Sequence, residues 1–442
     1  MAASGVALSM PGLFGCGGSG SSAGPCDTPA FRNSLSVSPF TEVVLGQIAL
    51  ADAVDGRVTT ARTAEEVQRI FNQHGSTEIF HRFATRKDAV QIHGGTYGWA
   101  LGLDRAQLAR ELRMPFNPEI GLFGTYGDGV FYQEPPDFTD YPQITVPGEW
   151  TSLGLEQMLP LIHEYAATVA AQILSTGVRV NIWDIGNEVE NGVAGVTVRP
   201  AFPDQRYKAP DAVDPAIGQM NVLNLFAMGD EARIAWSATH LWPYVGRLLA
   251  AAAEGIRSVD ARAKFSTHIG QTGMRSPEVA LAFWRTVRDA AGYVPDEIGS
   301  SYYPTLGRTF FGADDMFQWF KDLATGVHNE FDRRVFIGEY GHPSAPMSNP
   351  TYGNLFNDPV PGYTISEQGQ HDFTRDLISW GVETSLLSGI RPWAPDYCLV
   401  SPGWQPMSFF TVPENDTATT KAVITAVDEV IPPGQNCAGD VG

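Results

Sequence analysis

The chain has 442 residues, 43% of them hydrophobic, with 46 Gly and 31 Pro, a composition that fits a large core with many loops and excludes a disordered chain. Its 29 Lys and Arg against 49 Asp and Glu give a net charge of −20, which disfavours nucleic acid, anionic lipid and polyanionic substrates and suits a neutral ligand. No apolar run reaches the length of a membrane-spanning helix.

The first segment, MAASGVALSMPGLFGC, has no Lys or Arg and so lacks the charged start of a signal peptide. LFGC (13–16), followed by GGSGSSAG, nevertheless resembles a bacterial lipobox with a flexible tether. The expectation is an extracytoplasmic protein, secreted or held at the cell surface or in the periplasm by a lipid on Cys16. Residues 1–38 read as this tail and 39–435 as one catalytic barrel domain. The other cysteines, Cys26, Cys398 and Cys437, suit one or two disulfides in an oxidising compartment. Their pairing is open, although Cys26 with Cys437 would tie the termini together.

Along the body, strand-like and helix-like segments alternate. Residues 42–50 (EVVLGQIAL) read as a first strand. Thr63 with Glu66 forms a capping box for a helix with Val67, Ile70 and Phe71 on its apolar face, stopped by His74-Gly75. Residues 77–83 predict a second strand, 105–113 a helix and 118–124 a third strand. Leu155, Met158, Leu159, Ile162, Tyr165, Val169 and Ile173 recur at helical spacing up to Gly177. Residues 178–185 form the fourth strand, 191–230 a long insertion, and a helix follows to about Ile256. Strands are predicted at 264–269, 297–302, 335–339 and 387–393. Helices are predicted from Ser276-Pro277, over 315–325, over 367–381 and, last, over 417–430. Eight βα units in series predict a (β/α)8 barrel, with an open doubly wound sheet as the alternative.

Two glutamates each close an apolar run: Glu188 in IWDIGNEVENG and Glu339 in VFIGEYG. Barrel enzymes place their chemistry just beyond the C-terminal ends of the strands. Two such carboxylates provide the acid/base and the nucleophile of retaining glycoside hydrolysis. Asn187 beside Glu188 is placed to donate to a sugar hydroxyl, and His268 ends the fifth strand. Strand alternation turns one of Tyr302 and Tyr303 inward, and Trp393, between Pro392 and Pro395, is placed to stack on a sugar ring. No HExxH, CxxC, GxSxG or GxxxxGK[ST] pattern occurs, and the nine histidines are scattered.

Four segments resemble glycoside hydrolase family 53, the arabinogalactan endo-β-1,4-galactanases. IWDIGNEVENG is similar to that family's strand-four segment and IGSSYYP to its strand six. YTISEQGQHDFTRDLI (363–378) resembles its approach to helix seven, and GIRPWAP its strand eight. Their order and spacing agree over roughly residues 150–400. The resemblance implies a single barrel that hydrolyses a neutral β-linked polysaccharide, with Glu188 as acid/base and Glu339 as nucleophile. It implies Asn187, His268, Tyr302, Tyr303 and Trp393 around the substrate, Arg82 supporting the nucleophile, and Asp128 replacing part of the family's strand-three pair. It implies a monomer that needs no cofactor; some members bind calcium, for which no ligand set maps onto this chain. GEYGHP lacks the tryptophan that follows the nucleophile in the family's pattern. Another neutral β-glycan (mannan, glucan or β-1,3-galactan) therefore stays open as the substrate, as does a non-catalytic glycan-binding barrel.

Overall fold

The computed structural model describes residues 29–54, 58–90, 94–124, 126–127, 132–204, 206–271, 276–306, 315–399, 403–432 and 436, without the side chains of 126, 127, 132 and 350–352. Cys16, Cys26, Cys437 and Asp128 lie outside the described residues. Cys398 is a buried free thiol, and no described helix is long and apolar enough to cross a membrane.

Eight parallel strands form one sheet: β1 (Arg32–Asn33), β2 (Ile79–Phe83), β3 (Phe116–Ile120), β4 (Trp183–Ile185), β5 (Phe265–Ile269), β6 (Glu297–Tyr302), β7 (Arg334–Tyr340) and β8 (Leu387–Pro392). β1 pairs with β8, and the rest follow in order back to β2. The seam between β1 and β2 is bridged by the Thr77 amide donating to the Asn33 carbonyl at 2.9 Å and the Asn33 amide donating to the Thr77 hydroxyl at 3.0 Å. Alternating with the strands are α1 (Ala64–Gln73), α2 (Trp99–Glu111), α3 (Leu155–Ser175), α4 (Trp242–Val259), α5 (Pro277–Ala291), α6 (Met316–Phe331), α7 (Glu367–Thr384) and α8 (Ala426–Val430). The protein is a (β/α)8 barrel.

Local chemistry accounts for the predicted helices. Thr63 Oγ1 accepts from the Glu66 amide and the Glu66 carboxylate accepts from the Thr63 amide, so α1 starts with both orphan donors satisfied. α3 buries Met158, Ile162, Tyr165, Val169 and Ile173. It is followed by Gly177 at φ +76°, a left-handed turn that glycine makes without steric cost.

Two expected elements are corrected. The first barrel strand is Arg32–Asn33, within the stretch read as tail. EVVL instead lies in a short helix, Thr41–Leu45, and Ala49–Asp52 is a strand outside the barrel. That strand is the centre of a three-stranded side sheet, flanked by Thr59–Ala61 and Thr417–Thr419. The second correction follows, because Thr417–Thr419 pairs there instead of starting the last helix. Ala422–Thr425 is a 3-10 turn and only Ala426–Val430 is α-helical. The insertion holds a hairpin, Gly192–Val193 with Val196–Thr197, and helices at Pro215–Gln219, Val222–Ala227 and Asp230–His240.

The barrel interior is ionic where branched aliphatics are the rule. Ile79, His81 and Phe83 of β2 face the surrounding helices, where Gly102 of α2 leaves room for His81 and Phe83. Phe80 and Arg82 face the lumen. Arg32 pairs there with Glu78 (2.8 Å) and Glu297, Arg391 with Asp184, and Arg82 with Glu119. Arg32 and Arg391 also lie over the Phe336 ring, at 4.0 and 5.0 Å.

Candidate active site

At the C-terminal mouth of this lumen Arg82 collects the predicted residues. Its Nη2 donates to Glu339 Oε1 and to Asn187 Oδ1, both at 2.7 Å, while Nε and Nη2 hold the fully buried Glu119. Its guanidinium also lies 4.7 Å from the Trp393 ring centroid. One side chain of β2 therefore ties together the ends of β3, β4, β7 and β8.

Glu339 reaches this point because β7 is irregular. Ser300 and Ser301 of β6 register with Ile337 and Glu339, skipping Gly338. A side chain at Gly338 would strike the His268 ring, at 2.7 Å from its Cγ. Gly338 thus faces the lumen, and in a regular strand Glu339 would face out. The irregularity turns both inward, as bulges beside functional sites commonly do. The second oxygen of Glu339 accepts from the Tyr303 hydroxyl at 2.9 Å. Burial, then Glu339, then Glu188 push that phenol well above its ordinary pKa, so it stays a donor at any working pH.

Glu188 follows β4 after Gly186 and Asn187. Its own backbone is left-handed, at φ 44° and ψ 60°, a region costly for a residue with a Cβ. Glu188 Oε1 accepts from the Ser301 hydroxyl at 2.7 Å. Since Ser301 registers with Glu339 and Tyr303 senses both carboxylates, the two glutamates share one mouth.

His268 Nε2 lies 2.8 Å from Asn187 Oδ1. That oxygen can only accept, so the imidazole carries its proton on Nε2. Burial, then Arg82 and Arg391, depress the His268 pKa well below 6.5 and keep the ring neutral. Asn187 Oδ1 is thus taken twice, while its buried Nδ2 has no partner among the described residues and is left to donate to a ligand. Trp393 is half-buried on the rim.

Tyr302 is the correction at this site. Its hydroxyl donates to the Met316 carbonyl at 3.1 Å and its ring stacks on Phe320 at 4.3 Å, against α6 and away from the mouth. Alternation puts Tyr303 in and Tyr302 out. Several residues at the mouth escaped prediction. Ser301 was within reach of the same alternation, two residues from Tyr303, and Glu119 lies inside the predicted third strand, 118–124. Trp404 and Phe356 lie edge-on to Tyr303 at 5.8 and 5.7 Å, the first in a loop and the second at the end of the short helix Pro350–Phe356, and neither belongs to an apolar period that would give a signal. Gln133, which donates to the Asn187 carbonyl, and Glu190 are equally silent. A separate cavity of about 760 Å³ lies between the loop after β3 and the insertion, lined in part by Phe138, Trp150, Arg206 and Lys208. Among the described residues no cluster of three or more His, Cys, Asp or Glu could hold a metal ion.

A closed barrel with ionisable side chains gathered at its C-terminal mouth defines a (β/α)8 enzyme. The sequence model of glycosyl hydrolase family 53 matches residues 136–428, and the chain belongs to that family and is a glycoside hydrolase. No curated protein matches the chain. Among solved structures, the GH53 catalytic domain of Ignisphaera aggregans superposes with a TM-score of 0.62 at 16% identity, covering 92% of this chain and 98% of that one. Fungal β-1,4-galactanases give 0.61 at 16%, covering 91% and 100%. A family 10 endoxylanase from a sugarcane soil metagenome gives 0.52 at 10%, covering 90% and 97%.

Proposed function

We propose that the protein cleaves β-linked galactan with retention of configuration, Glu339 acting as nucleophile and Glu188 as acid/base. The observation that carries this reading is the asymmetry of the two carboxylates. Glu339 is buried and gripped at one oxygen by a guanidinium and at the other by a phenol. That grip aims a carboxylate at a fixed point, as attack on an anomeric carbon requires. Glu188 is only half-buried, accessible to a leaving oxygen and then to water.

In the first step Glu339 forms a bond to the anomeric carbon as the glycosidic C–O bond breaks, and the Glu188 proton passes to the departing oxygen. In the second step Glu188 takes a proton from water, the resulting C–O bond forms, and Glu339 leaves as a carboxylate. Asn187 Nδ2 is free to hold a ring hydroxyl through both steps, and Trp393 offers its face to the sugar. The galactan assignment draws on the family and on the galactanase neighbours.

Proton NMR of the first-formed reducing end on β-1,4-galactan tests the stereochemistry, with the β-anomer expected. Glu339→Ala is expected to abolish turnover while circular dichroism stays that of the parent; retained turnover would remove Glu339 from its role. The absence of a tryptophan after Glu339 favours a second reading, hydrolysis of another neutral β-glycan. Soluble products from mannan or β-1,3-galactan, and none from β-1,4-galactan, would establish it.

A further inference from the structure

Glu190, two residues beyond Glu188, is buried although no ligand contact requires it there. Its Oε2 accepts from the Gly270 amide at 2.7 Å and its Oε1 from Asn191 Nδ2 at 2.9 Å. Its carbonyl accepts from Trp242 Nε1 at 3.0 Å. The Gly270 backbone, just past β5, is thereby drawn against both glutamates. A methyl group there would sit 2.9 Å from Glu190 Oε1, 3.2 Å from the Glu188 carboxyl carbon and 3.3 Å from its Cβ. The next residue continues the same wall, since Gln271 Oε1 accepts from the Tyr303 amide at 2.6 Å.

We propose that Glu190 is a positioning residue for the acid/base: with Gly270 it forms the seat that holds Glu188 in its left-handed backbone and aims its carboxyl at the leaving oxygen. This rests on the reading of Glu188 as acid/base. Two acids side by side would ordinarily repel. Burial, and next the charge of Glu188, push the Glu190 carboxyl up to about 8, against the opposing pull of the Gly270 amide first and of Arg233 last. Glu190 is therefore largely protonated at neutral pH and lies beside Glu188 without a competing charge. The seat is built for contact, because glycine at 270 is the residue that leaves Glu188 its place.

Leaving-group dependence tests this. An acid is needed to expel a sugar hydroxyl but not a dinitrophenolate. Glu190→Ala and Gly270→Ala are expected to lower kcat/KM on the polysaccharide by on the order of tenfold to a hundredfold, the cost of a misplaced catalytic group. The same variants should keep kcat/KM on a dinitrophenyl β-glycoside of the same sugar within about twofold. Glu190→Gln, which keeps an acceptor for the Gly270 amide, should keep parental values on both. Equal losses on both substrates would reduce Glu190 to a structural role and overturn the proposal, as would parental kinetics in Glu190→Ala and Gly270→Ala together. Glu188→Ala is the control. If it spares the dinitrophenyl substrate and azide rescues its turnover, the acid/base reading stands and only the seat is on trial. If it does neither, that reading falls first.

Discussion

Glu119 is fully buried beneath the mouth, yet the geometry at Glu339 depends on it. Burial pushes its carboxyl up to about 7, against the opposing pull of Arg82 and then Arg391. Arg82 in turn is held charged well above its ordinary value, since Glu119 and Glu339 outweigh burial. One guanidinium thus serves a structural partner below and a proposed nucleophile above. Arg82→Met keeps the volume but leaves Glu339 without a guanidinium and Glu119 with only the more distant Arg391, at 3.7 Å, and breaking a buried pair by removing one partner costs about 3–5 kcal/mol. Urea unfolding should show a loss in that range, together with loss of turnover. Arg82→Lys should restore part of the stability and little of the activity, because a point charge cannot grip Glu119, Asn187 and Glu339 at once. Arg82→Met with parental stability would show that the pair contributes nothing to holding the barrel mouth.

The elements outside the barrel are held by a different device. His74, at the C-terminal end of α1, lies 3.0 Å from Asp52 of the side sheet and 3.4 Å from Asp428 of α8. Burial disfavours its charge, but the hydrogen bonds and charges of Asp428 and Asp52 prevail and raise its pKa above 6.5. A histidine with a raised folded-state pKa binds its proton more tightly folded than unfolded. Its contribution is complete below pH 6.5 and is lost as pH climbs through the raised value. Thermal stability should therefore fall as pH rises above 6.5, and His74→Gln should flatten that fall; an unchanged slope would exclude His74 as its source. The same junction shows where sequence reading succeeds and fails. α1 was legible to its ends because Thr63, Glu66 and Gly75 carry their own local geometry. Residues 42–50 and 417–430 were misread because their partner is each other: Ala49–Ala51 pairs with Thr417–Thr419 across most of the chain, and no local period records that. Strand β1 was missed for another reason. Arg32 belongs to an ionic lumen, so FRNSLSV lacks the apolar run by which the other strands announce themselves. Glu188 and Glu339 were legible since each ends such a run. The bulge that aims Glu339 and the seat under Glu188 were not, because both arise from contacts between strands.

For the whole molecule, the family likeness begins at residue 136 while the barrel begins at Arg32. The matched portion therefore contains both proposed catalytic glutamates but lacks β1, β2 and β3. Those three strands, with Glu78 just before β2, supply Arg32, Glu78, Arg82, Asn117 and Glu119. Without them Glu297 loses Arg32, and Arg391, which also loses Ser34 just past β1, keeps only Asp184 of the four side chains it pairs with or hydrogen-bonds there. Glu339 loses its guanidinium. The sheet also opens at two edges, exposing the unpaired strands that closure removes. A chain cut to 136–428 should consequently not fold: it is expected to be insoluble or to lack near-ultraviolet circular dichroism, and adding a separately produced 29–135 segment during refolding should recover structure and turnover together. Folding of 136–428 alone with measurable hydrolysis would show that the lumen ions are dispensable and that the site assembles from β4 to β8. The ionic interior makes the stronger case for failure, since a lumen of branched aliphatics could close over a gap whereas buried carboxylates cannot lose their cations and stay buried.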